Sequence, residues 1–89
     1  MPSLAPEVQK TYDALGPLDP SQIYDDSELV AYKNGDAYIG QMDDNKKHGY
    51  GKVIFSNGTI FEGSFERNKA YGRGRMIYID GSYYLGEYQ

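Results

Sequence analysis

The chain has 89 residues, a formal net charge of -4, no cysteine, eleven glycines and ten tyrosines. A chain this short forms one small domain at most, burying about 60% of the surface it exposes when unfolded. Without cysteine it has neither a disulfide framework nor thiolate metal ligands, which points to an intracellular, reducing compartment.

The first ten residues, MPSLAPEVQK, lack the basic start and apolar core of a signal peptide, so secretion is not expected. Mean hydropathy is -0.70 and no long apolar run occurs, so no membrane-spanning helix is expected either. Residues 1–27 carry Lys10 against Glu7, Asp13, Asp19, Asp25 and Asp26, together with all four prolines. This segment reads as an acidic, extended arm. A helical turn is predicted over Glu7–Leu15 and another opened by Asp19-Pro20, with proline at the first helical position.

Residues 28–89 hold eight basic and eight acidic side chains and repeat themselves at a shift of 23 residues. Gly35, Gly58 and Gly81 fall in one column, and Gly40, Gly63 and Gly86 in another. Gly49 meets Gly72, and Gly51 meets Gly74. Rings keep the same beat, with Tyr32, Phe55 and Tyr78 in one column and Tyr38, Phe61 and Tyr84 in a second. Such a period is the mark of stacked supersecondary units.

Each unit contains a hairpin signal. Asn34-Gly35, Asn57-Gly58 and Asp80-Gly81 tolerate positive φ at both central positions of a type I′ turn. Flanking β-formers predict strands over Leu29–Lys33, Ala37–Met42, Lys52–Ser56, Thr59–Phe65, Arg75–Ile79 and Ser82–Tyr88. The connections Asp43–Tyr50 and Glu66–Arg73 are polar and end in Gly-x-Gly, so they read as links between hairpins. The predicted fold is all-β: a single-layer antiparallel meander of about six strands behind an N-terminal arm.

The residues that carry this period also carry a resemblance. Tyr38-Ile-Gly40, His48-Gly49-Tyr-Gly51, Asn57-Gly58-Thr-Ile-Phe61-Glu-Gly63, Tyr71-Gly72-Arg-Gly74 and Asp80-Gly81-Ser-Tyr-Tyr84-Leu-Gly86 are similar to MORN (membrane occupation and recognition nexus) repeats. The likeness covers residues 29–89, about 2.7 units. Met42 and Phe65 replace a frequent tryptophan, Tyr71 replaces the second histidine, and Asp26 and Glu28 stand at the first unit's two glycine positions. Leu29–Lys33 is therefore expected to be a worn capping strand. The resemblance implies protein assembly, cytoskeletal or ciliary scaffolding, or contact with membrane phosphoinositides, and no chemistry of its own. It implies a cytoplasmic, cytoskeletal or ciliary location, with an organellar assembly as the alternative.

Sharper chemical readings do not hold together. His48 has Tyr71 as its period-mate, so the position calls for a ring rather than an imidazole base beside Asp43, Asp44 and Ser56. Asp43-Asp44-Asn45 lacks the glycine and terminal glutamate spacing of a calcium loop. Asn57-Gly58-Thr59 is formally a glycosylation sequon, but its glycine serves the turn. A strand, not a helix, follows each Gly-x-Gly, so neither cradles phosphate. A neutral repeat region also argues against nucleic acid. No cofactor, metal or enzymatic activity is expected.

If two-residue turns set the register, Tyr38, Phe61, Phe65, Tyr84 and Tyr88 share one face, with Ala31, Ile54 and Ile77 opposite them. The other face then holds Val30, Tyr32, Ile39, Val53, Phe55, Ile60, Met76, Tyr78, Tyr83 and Leu85. Both faces are apolar, whereas a sheet wet on one side alternates apolar and polar residues. The arm, through Leu4, Val8, Tyr12, Leu15, Leu18, Ile23 and Tyr24, can cover only part of this surface. A protein partner, another subunit or a second copy, is expected to cover the rest. The last strand offers Tyr83, Tyr84, Leu85 and Tyr88 for strand addition, since it lacks lysine, proline or bulge. Phe55 and Tyr78 mark the alternative docking face. The rival expectation is a peripheral membrane adaptor that binds anionic phospholipid through Lys46, Lys47, Arg67, Lys69 and Arg73. Asp43, Asp44, Glu66 and the acidic arm oppose that attraction.

Overall fold

The structure, a computed structural model, describes residues 3–22, 24 and 29–89. One helix, α1 (Pro6–Leu15), precedes six strands: β1 (Val30–Ala31), β2 (Ala37–Asp43), β3 (Lys46–Ile54), β4 (Ile60–Glu66), β5 (Lys69–Ile77) and β6 (Tyr83–Tyr88). They form one antiparallel sheet in sequential order, the expected meander. The expected boundary between arm and sheet, with Asp26 and Glu28, lies outside the described residues, as does Ile23.

Strands and turns differ from expectation in one connected way. The segments read as polar links are strand: β3 and β5 are nine residues long and run straight through Gly49-Tyr50-Gly51 and Gly72-Arg73-Gly74. Type I′ geometry sits at Asp44-Asn45 (φ 52° and 61°) and Arg67-Asn68 (φ 49° and 74°). Asn68 secures its turn by accepting the Lys47 N–H at its side-chain oxygen (2.8 Å) and donating its own N–H to the Lys47 carbonyl (2.8 Å).

At the Asn-Gly sites only the glycine has positive φ. The Gly58 N–H donates to the Phe55 carbonyl at 2.9 Å, and the Phe55 N–H donates to the Thr59 carbonyl at 2.9 Å. That is a type I turn followed by a bulged glycine, a three-residue loop. Asn57 contributes through its side-chain oxygen, which accepts the Thr59 N–H and hydroxyl. The expected type I′ turns are therefore corrected to this form, and the register slips by one residue. Val53 pairs with Phe61 and Ile54 with Ile60, while Met76 pairs with Tyr84 and Ile77 with Tyr83.

A one-residue slip moves a strand's side chains to the opposite face. Val53, Phe55, Met76 and Tyr78 consequently join Tyr38, Phe61, Phe65, Tyr84 and Tyr88, while Ile54 and Ile77 join Ile39, Ile60, Tyr83 and Leu85. The two faces anticipated from two-residue turns are thus recombined.

Two clusters hold the molecule together. On one face Tyr38, Val53, Phe61 and Phe65 are buried, with Tyr32, Phe55, Ala70, Met76 and Tyr88 against them. Glycine makes room for these rings: a Cβ on Gly51 would strike the Tyr38 phenol, and one on Gly74 the Phe61 ring. On the other face Val8 of α1 is fully buried against Ile60 and Ile77, with Leu4, Ala5, Tyr12 and Ile54 around it. The arm covers the isoleucine face. Asp19 opens a side-chain-capped turn, accepting the Ser21 N–H and hydroxyl, rather than the expected second helical turn.

Candidate functional site

The face left bare by the arm is a file of rings. Phe65 meets Tyr38 and Phe61 edge-on at 5.4 and 5.3 Å, Phe61 meets Tyr88 at 4.9 Å, and Tyr88 meets Tyr84 at 5.7 Å. Such T-shaped pairs add about 0.5–1.5 kcal/mol each beyond area burial. The file fixes the rings in place and leaves a groove of about 320 Å³ along it, lined by Phe55, Met76 and Tyr88. Polar atoms enter it from Asp36, Lys47 and Asn68. Tyr78 (45% exposed) and Phe55 border a shallower hollow beside it with Met76 and Asn57.

The six partner-binding candidates do not form one surface. Phe55, Tyr78, Tyr84 and Tyr88 come together on the ring face. Tyr83 and Leu85 alternate to the arm's face, where they are about half exposed. β6 is one edge of the sheet, and no other described strand pairs with its outer side.

The five cations are also dispersed. Lys46 stands opposite Asp43 and Lys69 opposite Glu66 in the strand register. Lys47 turns onto the ring face, its Nζ 4.6 Å from the Tyr32 centroid and 5.7 Å from that of Tyr38. Arg73 lies in a hollow with Leu18, Asp19 and Tyr50 of the arm side, and pairs in register with Glu87. Arg67 shares a third hollow with Asp43, Asp44, Glu66 and His48. Cations and carboxylates are thus interspersed along this end of the sheet, with Lys46, Lys69 and Arg73 each paired in register with an acidic residue.

His48 is exposed in that mixed hollow. Among the described residues no three His, Cys, Asp or Glu side chains gather as metal ligands. His48→Tyr is expected to keep both the thermal melting temperature and partner binding within error, since Tyr71 occupies the equivalent place. Loss of binding with an intact β spectrum would make His48 a contact residue.

The arm's face contains a polar centre that sequence reasoning missed. Glu62 (1% exposed) accepts the Tyr24 hydroxyl at 2.8 Å, the Leu18 N–H at 3.1 Å and the Tyr12 hydroxyl at 3.5 Å. Arg75 (5% exposed) lies 3.4 Å from it and donates to the Gly16 carbonyl at 2.7 Å. A signal was present: Glu62 falls in a column whose other members, Ile39 and Leu85, are apolar. A charge in an otherwise apolar column requires a partner.

Burial, with the Glu62 charge next, pushes the Tyr12 and Tyr50 phenols up to about 12. Burial raises Tyr38 to about 12 as well, and burial plus the hydrogen bond to Glu62 raises Tyr24. A phenol whose folded value lies above its ordinary 10 stabilises the fold fully below pH 10 and loses that contribution as pH climbs through the folded value. Stability is therefore expected to fall between about pH 10 and 12, with the tyrosinate absorbance of Tyr12, Tyr38 and Tyr50 appearing together with loss of the β spectrum. Ionisation of Tyr12, Tyr38 and Tyr50 near pH 10 with the fold intact would contradict this.

Among the described residues no helix is long and apolar enough to cross a membrane. A comparison with curated proteins finds no match. The MORN repeat family matches residues 38–60 and 61–83, two adjacent units that together span more than half of the sequence. These units begin at Tyr38 and Phe61, the two rings seated over Gly51 and Gly74, so the matched period is the period of the packing. The chain belongs to the MORN-repeat family of non-catalytic interaction modules.

Proposed function

We propose that this chain is a protein–protein interaction module, a small structural subunit of a larger assembly that docks its partner on the ring face. The observation that carries this reading is the asymmetry of the single-layer sheet. The isoleucine face is covered by the chain's own arm around Ile60 and Ile77 and stays open at Tyr83 and Leu85 of the edge. The opposite face has no covering segment among the described residues and holds an apolar groove, with Tyr78 and Tyr84 nearly half exposed on the same face. Aromatic side chains dominate protein interfaces, and tyrosine, with two side-chain torsions, loses little conformational entropy when it is buried. Tyr84 and Tyr88 carry this surface to the β6 edge, so a partner can combine ring contacts with backbone pairing.

The class of partner is tested by ionic strength. Sedimentation with vesicles containing anionic phospholipid is compared with affinity capture from the native source, each at low and high salt. The interaction-module reading expects capture of the same protein chains at both salt levels, since apolar docking is not screened. Saturable vesicle binding that salt abolishes, without a protein partner, supports the membrane-adaptor reading instead.

A further inference from the structure

One row of register partners crosses the sheet beneath the arm: Ile39, Lys52, Glu62, Arg75 and Leu85, from β2 to β6. Its three central members are charged, on a face otherwise built around Ile54, Ile60 and Ile77. Among the described residues of the sheet only Arg75 partners the Glu62 carboxylate, whereas two hydroxyls and an N–H come to it from Tyr12, Leu18 and Tyr24 of the arm. The same two tyrosines present their rings to the flanking cations. Lys52 Nζ lies 4.6 Å from the Tyr24 centroid and 5.4 Å from that of Tyr12, and the Arg75 guanidinium 5.5 Å from Tyr12. Each phenol is thus read twice, by a carboxylate at its hydroxyl and by a cation at its face.

Adhesion alone does not call for this arrangement. Apolar residues of similar volume often hold as well as a buried ion pair, and here Arg75 Nε is buried with no hydrogen-bond partner among the described residues. What the polar centre adds is selectivity, because a site built to bond a hydroxyl discriminates strongly against a ring that lacks one. We propose that the Lys52–Glu62–Arg75 row is a tyrosine-reading peptide site. Its ligand is the arm segment around Tyr12 and Tyr24, bound here in cis and exchangeable with the same segment of a second copy. A second copy is the source because it carries the one sequence whose contacts with this row are seen. Reciprocal exchange would close as a two-fold dimer. This site lies on the opposite face from the ring groove and does not depend on the function proposed there.

The test titrates a fluorescent synthetic peptide of residues 3–24 into the full chain, followed by anisotropy. The resident arm competes, so apparent affinity is reduced by the fraction of molecules whose site is open. A Tyr12→Phe/Tyr24→Phe host loses two hydroxyl contacts in cis and is expected to bind the wild-type peptide at least about tenfold more tightly than the wild-type host does. The same double substitution in the peptide is expected to weaken its binding to that host at least about tenfold. Tyr24→Phe alone, which removes the shorter of the two hydroxyl contacts from the resident arm and leaves the row intact, gives a second weakened host should the first not fold. In sedimentation, dimers of the wild-type chain should form at high concentration and dissolve in excess peptide. No saturable binding to either host, or equal binding of the two peptides, overturns the site. A chain that stays monomeric at every concentration, or a dimer indifferent to the peptide, overturns the second copy as its source.

Discussion

Glu62→Leu is expected to destabilise the domain by about 3–5 kcal/mol in urea melts, the usual effect of removing one member of a buried ion pair. The loss follows from what is left behind. Arg75 remains buried with its charge uncompensated, and the Leu18 N–H and the Tyr24 hydroxyl lose their acceptor. Arg75→Leu is expected to be of similar size, because it strands Glu62 and the Gly16 carbonyl. The informative variant is the double. With both charges gone the largest penalty disappears, so Glu62→Leu/Arg75→Leu is expected to cost less than the sum of the singles. Additive losses would show that the two side chains do not act as a unit.

The second large effect is at Gly58. Its φ of +92° is strained for any side chain, and a β-branched residue there costs about 1–3 kcal/mol from the backbone alone. A Cβ would also lie 2.6 Å from the Ala5 nitrogen, whose N–H donates to the Gly58 carbonyl at 3.0 Å. Gly58→Val is therefore expected to weaken the turn and lift the start of α1 together. The sequence alone suggests that Gly58→Ala costs less than Gly58→Val, and the contact with Ala5 adds a further penalty to both. Gly81 makes a control: its φ is +90°, yet an added Cβ meets nothing closer than the Thr11 hydroxyl at 3.2 Å. Gly58→Ala should cost more than Gly81→Ala in thermal melts. Equal losses would show that the approach of the arm sets no limit, and a neutral Gly58→Val would contradict the turn itself.

The period, the strand order and the identity of the packed rings were legible in the sequence because glycine and aromatic columns recur together. The register was not. Asn57-Gly58 suits both a two-residue type I′ turn and a type I turn with a bulged glycine, and the two differ by one residue of pairing. Arg67-Asn68 carries no glycine to announce a type I′ turn, and its geometry rests on bonds between Asn68 and Lys47 of the previous hairpin. That support is tertiary, so the segments around both type I′ turns read as loose links instead of strand. The same one-residue ambiguity divided the candidate site. It set Tyr83 and Leu85 beside Phe55 and Tyr78, when their true neighbours are Ile77 and Arg75. The arm's covering of the isoleucine face was illegible for a different reason: it depends on Val8, Tyr12 and Tyr24 reaching residues 38 or more positions away.

The docking claim is tested most directly by two surface variants placed on opposite faces of β6 and its neighbour. Tyr78→Lys/Tyr84→Lys puts charge on the ring face, and Tyr83→Lys/Leu85→Lys puts the same charge on the arm's side of the edge. All four side chains are 43–50% exposed, so both variants should fold with a wild-type β spectrum. Capture of the partner chains from the native source is then quantified for each. The ring-face variant is expected to lose capture at least about tenfold, as removal of central aromatic anchors does, while the arm-side variant retains most of it. A ring-face variant that captures as well as wild type, or a loss confined to the arm-side variant, would contradict docking on the ring face.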